Sequence, residues 1–182
     1  MPGLKEVRIR IASVKSTQQI TNAMKMVAAS KLRKAQNAII KLRPYAGKLR
    51  EILQNLSASA DATEGNPFAE VRNPEKVLLV VIASNRGLCG AFNSNINKMA
   101  VQMMTTTYAE QYRKNQVSLI TIGKKASEYF VKRKYNVIAT HDELFDQLTF
   151  NNAATIAEKL MKSFSAKEFD RIELIYNQFK NA

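Results

Sequence analysis

Residues 4–56, LKEVRIRIASVKSTQQITNAMKMVAASKLRKAQNAIIKLRPYAGKLREILQNL, decide how this chain is built. Taken at alternating three- and four-residue steps, they give Leu4, Val7, Ile11, Val14, Gln18, Thr21, Lys25, Ala28, Leu32, Ala35, Ile39, Leu42, Ala46, Leu49, Leu53 and Leu56, thirteen of sixteen apolar. That spacing is the seam of a coiled coil. One helix over this stretch is roughly 80 Å long, whereas a compact body made from the rest has a radius of gyration near ~14 Å. The helix is therefore expected to stand out as a shaft. Nothing else in the sequence is long enough to pair with its seam, so something outside the chain is expected to cover it.

The seam is interrupted at Gln18, Thr21 and Lys25, while Ile20, Met24 and Val27 carry the apolar surface on the adjoining stripe. Polar seam positions can fix register. They can equally mark where the helix leaves two-helix packing and offers Met24 and its neighbours to another surface, a use that suits flexible methionine. Pro44 removes the bond to the Ile40 carbonyl and predicts a bend, or else two helices meeting near Arg43.

Charge is placed unevenly. Residues 1–56 hold twelve Lys and Arg against Glu6 and Glu51, so they carry +10 of the total +13, and the remainder is nearly neutral. Such a shaft favours anionic surroundings, whether phosphates, anionic lipid or an acidic protein surface. A nucleic-acid-binding basic helix is the alternative function, but Tyr45 is the shaft's only aromatic and the seam is too continuous for a helix meant chiefly for phosphates. An amphipathic helix lying on a membrane fits no better, because the stripe is narrow and Trp is absent.

After residue 56 the period changes. Residues 57–74 are rich in Ala, Ser, Asp, Gly, Asn and Pro and read as a linker. From 75 to 182, strands at 77–83, 117–123, 136–139 and 171–179 alternate with helices at 93–114, 124–132 and 152–165, with an acidic loop or helical turn at 141–150. The alternation predicts a layered α/β body with a largely parallel sheet. The chain's end shortly after a strand, with the shaft unpaired, gives it an incomplete look.

Chemistry is thinly represented. The turn Ser84-Asn85-Arg86-Gly87-Leu88-Cys89-Gly90 follows a buried strand, where open α/β folds bind ligands. It lacks both G-x-G-x-x-G spacing and a Gly-Lys-Ser/Thr ending, so Gly87 and Gly90 are read as permitting a tight structural turn. Cys89 would need a base to act as a nucleophile; His141 is the lone imidazole and nothing links the two, so Cys89 is expected to be a small core residue. His141-Asp142-Glu143 with Asp146 lacks the spacing and central glycine of a calcium loop and is read as solvated charge. No catalytic residue, metal ligand or cofactor site is expected. A single cysteine, no membrane-length apolar run and no leader at Met1-Pro2-Gly3 suggest a bacterial cytoplasmic protein.

Residues 8–36, RIRIASVKSTQQITNAMKMVAASKLRKAQ, strongly resemble the N-terminal helix of the gamma subunits of F-type ATP synthases. ITNAMKMVAASK at 20–31, Arg43-Pro44-Tyr45, and Arg86-Gly87-Leu88-Cys89-Gly90 after a buried strand occur in family order. Asn22 stands where lysine is common, and Asn85 where aspartate is usual, which puts an ionic role at that turn in doubt. The resemblance implies a noncatalytic central-stalk rotor: a first helix paired antiparallel with a C-terminal helix absent here, inside a ring of alpha and beta subunits, above a Rossmann-like body. Rotation driven by proton flow through a membrane c-ring would give each beta subunit a different contact. It further implies partners in alpha, beta, epsilon and the c-ring, and a peripheral place on the cytoplasmic face of the bacterial inner membrane, without nucleic acid or direct insertion. Carried over by position, Ile20, Thr21, Met24, Lys25 and Val27 lie near the moving tips of beta, Lys25 and Arg33 face acidic loops, and Arg86, Gly87, Cys89 and Gly90 form a structural turn near the foot.

Overall fold

A computed structural model describes residues 3–58, 68, 70 and 72–178. They fall into two compact units, one covering 1–64 and the other 65–182.

Among the described residues, the first unit holds one helix, α1 (Leu4–Ala58). Glycine 3 opens it, its carbonyl accepting from the Glu6 and Val7 amides, and Glu6 in the first turn complements the positive end of the helix dipole. Helical geometry continues through Pro44, so the two-helix alternative is not taken. A proline forfeits one backbone bond, and strong helix formers stand on both sides of it, with Lys41, Leu42 and Arg43 before and Lys48, Leu49 and Arg50 after. Seam residues Leu4, Ile11, Val14, Leu42 and Leu49 are exposed.

The expected linker at 57–74 begins later than the sequence suggests, since α1 reaches Ala58; residues 59–67, 69 and 71 lie outside the described set.

The second unit is a four-stranded sheet, β1 (Val77–Ile82), β2 (Val117–Ile122), β3 (Val137–Thr140) and β4 (Arg171–Ile175). Its order is β3-β2-β1-β4, and every pairing is parallel. Four helices connect them: α2 (Phe92–Thr105), α3 (Ala109–Arg113), α4 (Lys124–Lys132) and α5 (Phe150–Ser165). On one face Val77, Leu79, Val81, Val117 and Leu119 pack with Ile96, Ala100 and Met104 of α2 and Ala126 and Phe130 of α4. On the other, Leu78, Val80, Ile120 and Ile122 pack against Ile156 and Leu160 of α5. Burial on both faces is why β1 is apolar throughout; each fully buried Val or Leu contributes about 1.5–3 kcal/mol.

Several boundaries differ from the sequence reading, each for a local reason. The helix expected at 93–114 breaks at Thr106: the Thr105 and Thr106 hydroxyls donate to Val101 and Gln102 carbonyls, and the Tyr108 amide reaches back to Met103. Tyr108 is thereby buried, its hydroxyl donating to Glu173 at 3.0 Å. Met99 of α2 is exposed. The helix expected at 152 starts at Phe150, where Thr149 caps it by accepting from the Asn152 amide. Within 141–150, Glu143–Phe145 form one 3-10 turn. The last strand stops at Ile175, paired with Val81, instead of running to 179, and beyond it the Asn177 side chain donates from Nδ2 to the Phe92 carbonyl. Phe179 lies outside the described residues.

Candidate functional site

Two regions hold the candidate residues, one in each unit.

On α1, Ile20, Met24 and Val27 are exposed, Met24 by 66%. Thr21 turns its hydroxyl inward along the helix, donating to the Thr17 carbonyl at 3.0 Å and the Gln18 carbonyl at 2.9 Å. The Thr21 hydroxyl is thus satisfied within the helix itself. Lys25 and Arg33 are exposed on the same helix. A 3.6-residue repeat places 20, 24 and 27 on one stripe, with Lys25 beside it. This face can bury apolar area and present cations; it holds no group for bond chemistry.

In the α/β body, the strand order of the doubly wound parallel sheet reverses between β1 and β4, which is where such folds bind ligands. The loop after β1 fills that end. Ser84 turns its donors inward: its amide and hydroxyl both lie 3.0 Å from Asn93 Oδ1, the hydroxyl is also 2.6 Å from the Arg86 carbonyl, and its own carbonyl accepts from the Lys125 amide at 3.1 Å. Asn93 Nδ2 donates to that same carbonyl and to Cys89 Sγ. Asn177 closes the opposite side through Phe92. Helix α2 begins after Ala91 with no side-chain cap.

Cys89 is exposed, contrary to expectation. It lies seven positions beyond the end of β1, in the loop, so the burial of the strand does not extend to it. Gly90 has φ +58°, in the left-handed region, and Leu88 also adopts a positive φ of 57°. Gly87 is not in that region, and a Cβ there would meet nothing within 4 Å. Arg86 and Leu88 are exposed.

The residues that sequence reasoning missed are Asn85 and Gly123. Asn85 Nδ2 donates to the Asp142 carbonyl at 2.8 Å, while its Oδ1 accepts from the Lys124 amide at 2.9 Å. It therefore ties together the loops after β1, β2 and β3. An aspartate could take the Lys124 amide but could not donate to Asp142, so the amide is better matched here than the acid usual in related turns. Gly123 has φ +102°, and a Cβ on it would sit 2.3 Å from the Ala83 carbonyl oxygen. The only local signal was a turn-forming residue near a strand end: Gly123 directly after β2, and Asn85 three positions after β1.

His141 and Asp142 belong to the same tie. The His141 amide donates to the Thr121 carbonyl, and Ser127 Oγ donates to the Asp142 carboxylate and lies 2.9 Å from Thr121 Oγ1. His141 Nδ1 is 3.5 Å from Glu143. The Glu143 carboxyl is held below its usual range, first by its own backbone N–H and then by His141. An open cavity of about 600 Å³ lies beside them, lined by His141, Glu143, Asp146, Asn152, Thr155 and Lys159 among others. Among the described residues, no three His, Cys, Asp or Glu side chains group so as to hold a metal ion, and no helix is long and apolar enough to cross a membrane.

The loop's internal use of its own donors leads to an expected result: calorimetric titration with ATP or ADP, with and without magnesium, gives no saturable heat at sub-millimolar ligand. A one-to-one isotherm would overturn the structural reading of residues 86–90.

Comparison with known proteins settles the lineage. The sequence model of the ATP synthase family matches residues 3–182. The chain belongs to that family. It is 53% identical over 182 residues to the ATP synthase gamma chain of Flavobacterium johnsoniae, covering all of this chain and 62% of that protein. With the gamma chain of Cytophaga hutchinsonii the identity is 49% over 181 residues, covering 61% of that relative, and with that of Chlorobaculum tepidum 48% over 182, covering 62%. The chain thus spans about three fifths of the length of these curated relatives. Among solved structures, it is similar to the cryo-EM structure of the central stalk and c-ring of the Tetrahymena thermophila mitochondrial ATP synthase. That match has a TM-score of 0.68 and 29% identity, over 89% of this chain and 66% of the other. None of these relatives supports the nucleic-acid alternative.

Proposed function

We propose that the chain acts as a noncatalytic rotor element in the central stalk of a proton-driven ATP synthase. The carrying observation is its identity of about half with gamma chains along its entire length. Its exposed apolar and basic helix supports the same reading, since a shaft works by contact rather than by chemistry. In this proposal α1 turns inside a ring of alpha and beta subunits, and the α/β body serves as the foot, meeting epsilon and the membrane c-ring. The subunit would be peripheral on the cytoplasmic face of a bacterial inner membrane.

A shaft biases catalytic sites only if its contacts differ between rotational states. Ile20, Thr21, Met24, Lys25 and Val27 are the proposed contacts with moving parts of beta, and Lys25 and Arg33 would meet acidic loops. Each ~1.4 kcal/mol of contact difference shifts state occupancy about tenfold. The test is co-expression with the alpha and beta subunits. A complex that co-purifies and hydrolyses ATP is expected, and failure of the chain to co-purify would overturn the reading.

One substitution separates contact from packing. In a full-length subunit within the assembled enzyme, Met24→Lys is expected to reduce proton pumping several-fold more than ATP hydrolysis, because a new cation beside Lys25 favours one rotational state over the others. Equal losses of both, with poorer assembly, would assign Met24 to packing instead.

A further inference from the structure

The stretch that enters β1 is irregular in backbone, yet it is held at several separate points. Arg72 stands at the centre. Its side chain is only 9% exposed and its guanidinium lies 4.4 Å above the Phe164 ring near the carboxyl end of α5. Nη1 donates to the Phe164 carbonyl at 2.8 Å, a helix-end carbonyl that also accepts from the Lys167 amide at 3.1 Å. Nε and Nη2 both donate to Glu70 Oε2, at 2.9 and 2.7 Å, and Arg72 holds the Glu70 carboxyl below its usual range. Phe68 stacks on the same Phe164 ring at 6.1 Å. Two further ties lie downstream. Asp170 Oδ2 accepts from the Glu75 and Lys76 amides at 3.1 and 2.8 Å, and Gln111 Nε2 donates to the Pro74 carbonyl at 2.7 Å.

Phe68, Glu70 and Arg72 are the first described residues after the helical unit. Any tension along the chain from that side reaches the sheet through them. An irregular strand of chain that merely crosses a surface has no need for a guanidinium spending all its faces at once, on a carboxylate, a helix-end carbonyl and a ring. Arginine's planar fork can do this, and lysine's point charge cannot.

We propose that Arg72 is a positioning residue that joins Phe68, Glu70 and residues 72–76 into a lock that carries force: tension along the chain is delivered to α5 through Phe164, sparing the pairing of β1. The lock stands on this geometry; its use as a path for torque rests on the rotor reading given above.

The test is optical-tweezers extension of the full chain, pulled between thiols at Gln54→Cys and Thr107→Cys in a Cys89→Ser background. Wild-type chains are expected to lengthen first by at most about 30 Å, the contour of nine residues at ~3.5 Å each less the span they already cover when folded, before the sheet ruptures at higher force. In Arg72→Ala that first step is expected to occur roughly ten to a hundred times faster at fixed load, as loss of charge-assisted bonds predicts, with the sheet's rupture force unchanged. Arg72→Lys should behave nearly as Ala, and Phe164→Leu, which keeps an apolar α5, should fall between. A first step indifferent to Arg72, or sheet rupture weakened in parallel, would overturn the lock. The rotor reading is decided separately by co-purification with alpha and beta, so either can fail without the other.

Discussion

Gly123→Ala is expected to unfold the α/β body at temperatures where the parent is fully folded. The residue follows β2 with φ +102°, a backbone state that L side chains rarely adopt, and its Cβ would press to 2.3 Å of the Ala83 carbonyl oxygen and 2.9 Å of the Ala83 carbon. Those atoms are backbone and cannot swing aside, because the Ala83 amide is itself bonded to the Ile122 carbonyl at 2.8 Å. Relief would require separating the ends of β1 and β2, the two central strands. The cost is about 4 kcal/mol or more, a fall of roughly 15 °C or more in midpoint for a unit of this size. Gly87→Ala is the control: it has ordinary φ and open space, so a change within about 0.5 kcal/mol is expected. Thermal unfolding followed by circular dichroism checks both, and a Gly123→Ala midpoint within a few degrees of the parent would refute the argument.

The second large effect concerns the seam. In isolation the chain is expected to sediment above monomer mass at tens of micromolar, because Leu4, Ile11, Val14, Leu42 and Leu49 are exposed along one narrow stripe and patches of that extent seldom stay in water. Leu42→Asp combined with Leu49→Asp is expected to shift the population to monomer, since each charge would have to be buried in the seam. A wild-type chain that is strictly monomeric with α1 still helical would sink the expectation.

How much of this was legible beforehand depends on the range of the interactions concerned. The long helix, the apolar β1 and the helix from Lys124 to Lys132 were readable because each is written in local periodicity. The break at Thr106 was not, since a threonine run is weak evidence until Tyr108 is seen to reach Glu173, sixty-five residues on. Cys89 was misplaced for a similar reason: adjacency to a buried strand says little once the chain has left the sheet. Asn85 and Gly123 act through loops that meet only in three dimensions, and Arg72 through an α5 carbonyl ninety-two residues away. The proposed contact residues on α1 are a different case, because their meaning lies on surfaces belonging to other chains.

The strand order has a consequence for how this protein is made. β1 sits inside the sheet, but its neighbour β4 pairs Val77 with Arg171, 94 residues later. At ordinary ribosomal speed the intervening stretch takes roughly 5–20 s to synthesise. For that interval the Val77–Ile82 edge is apolar, β-prone and open on one side. The nascent chain therefore passes through a stage in which its most insoluble segment waits for a partner not yet translated, and the yield of folded protein should respond to translation rate and to chaperones that shield strand edges.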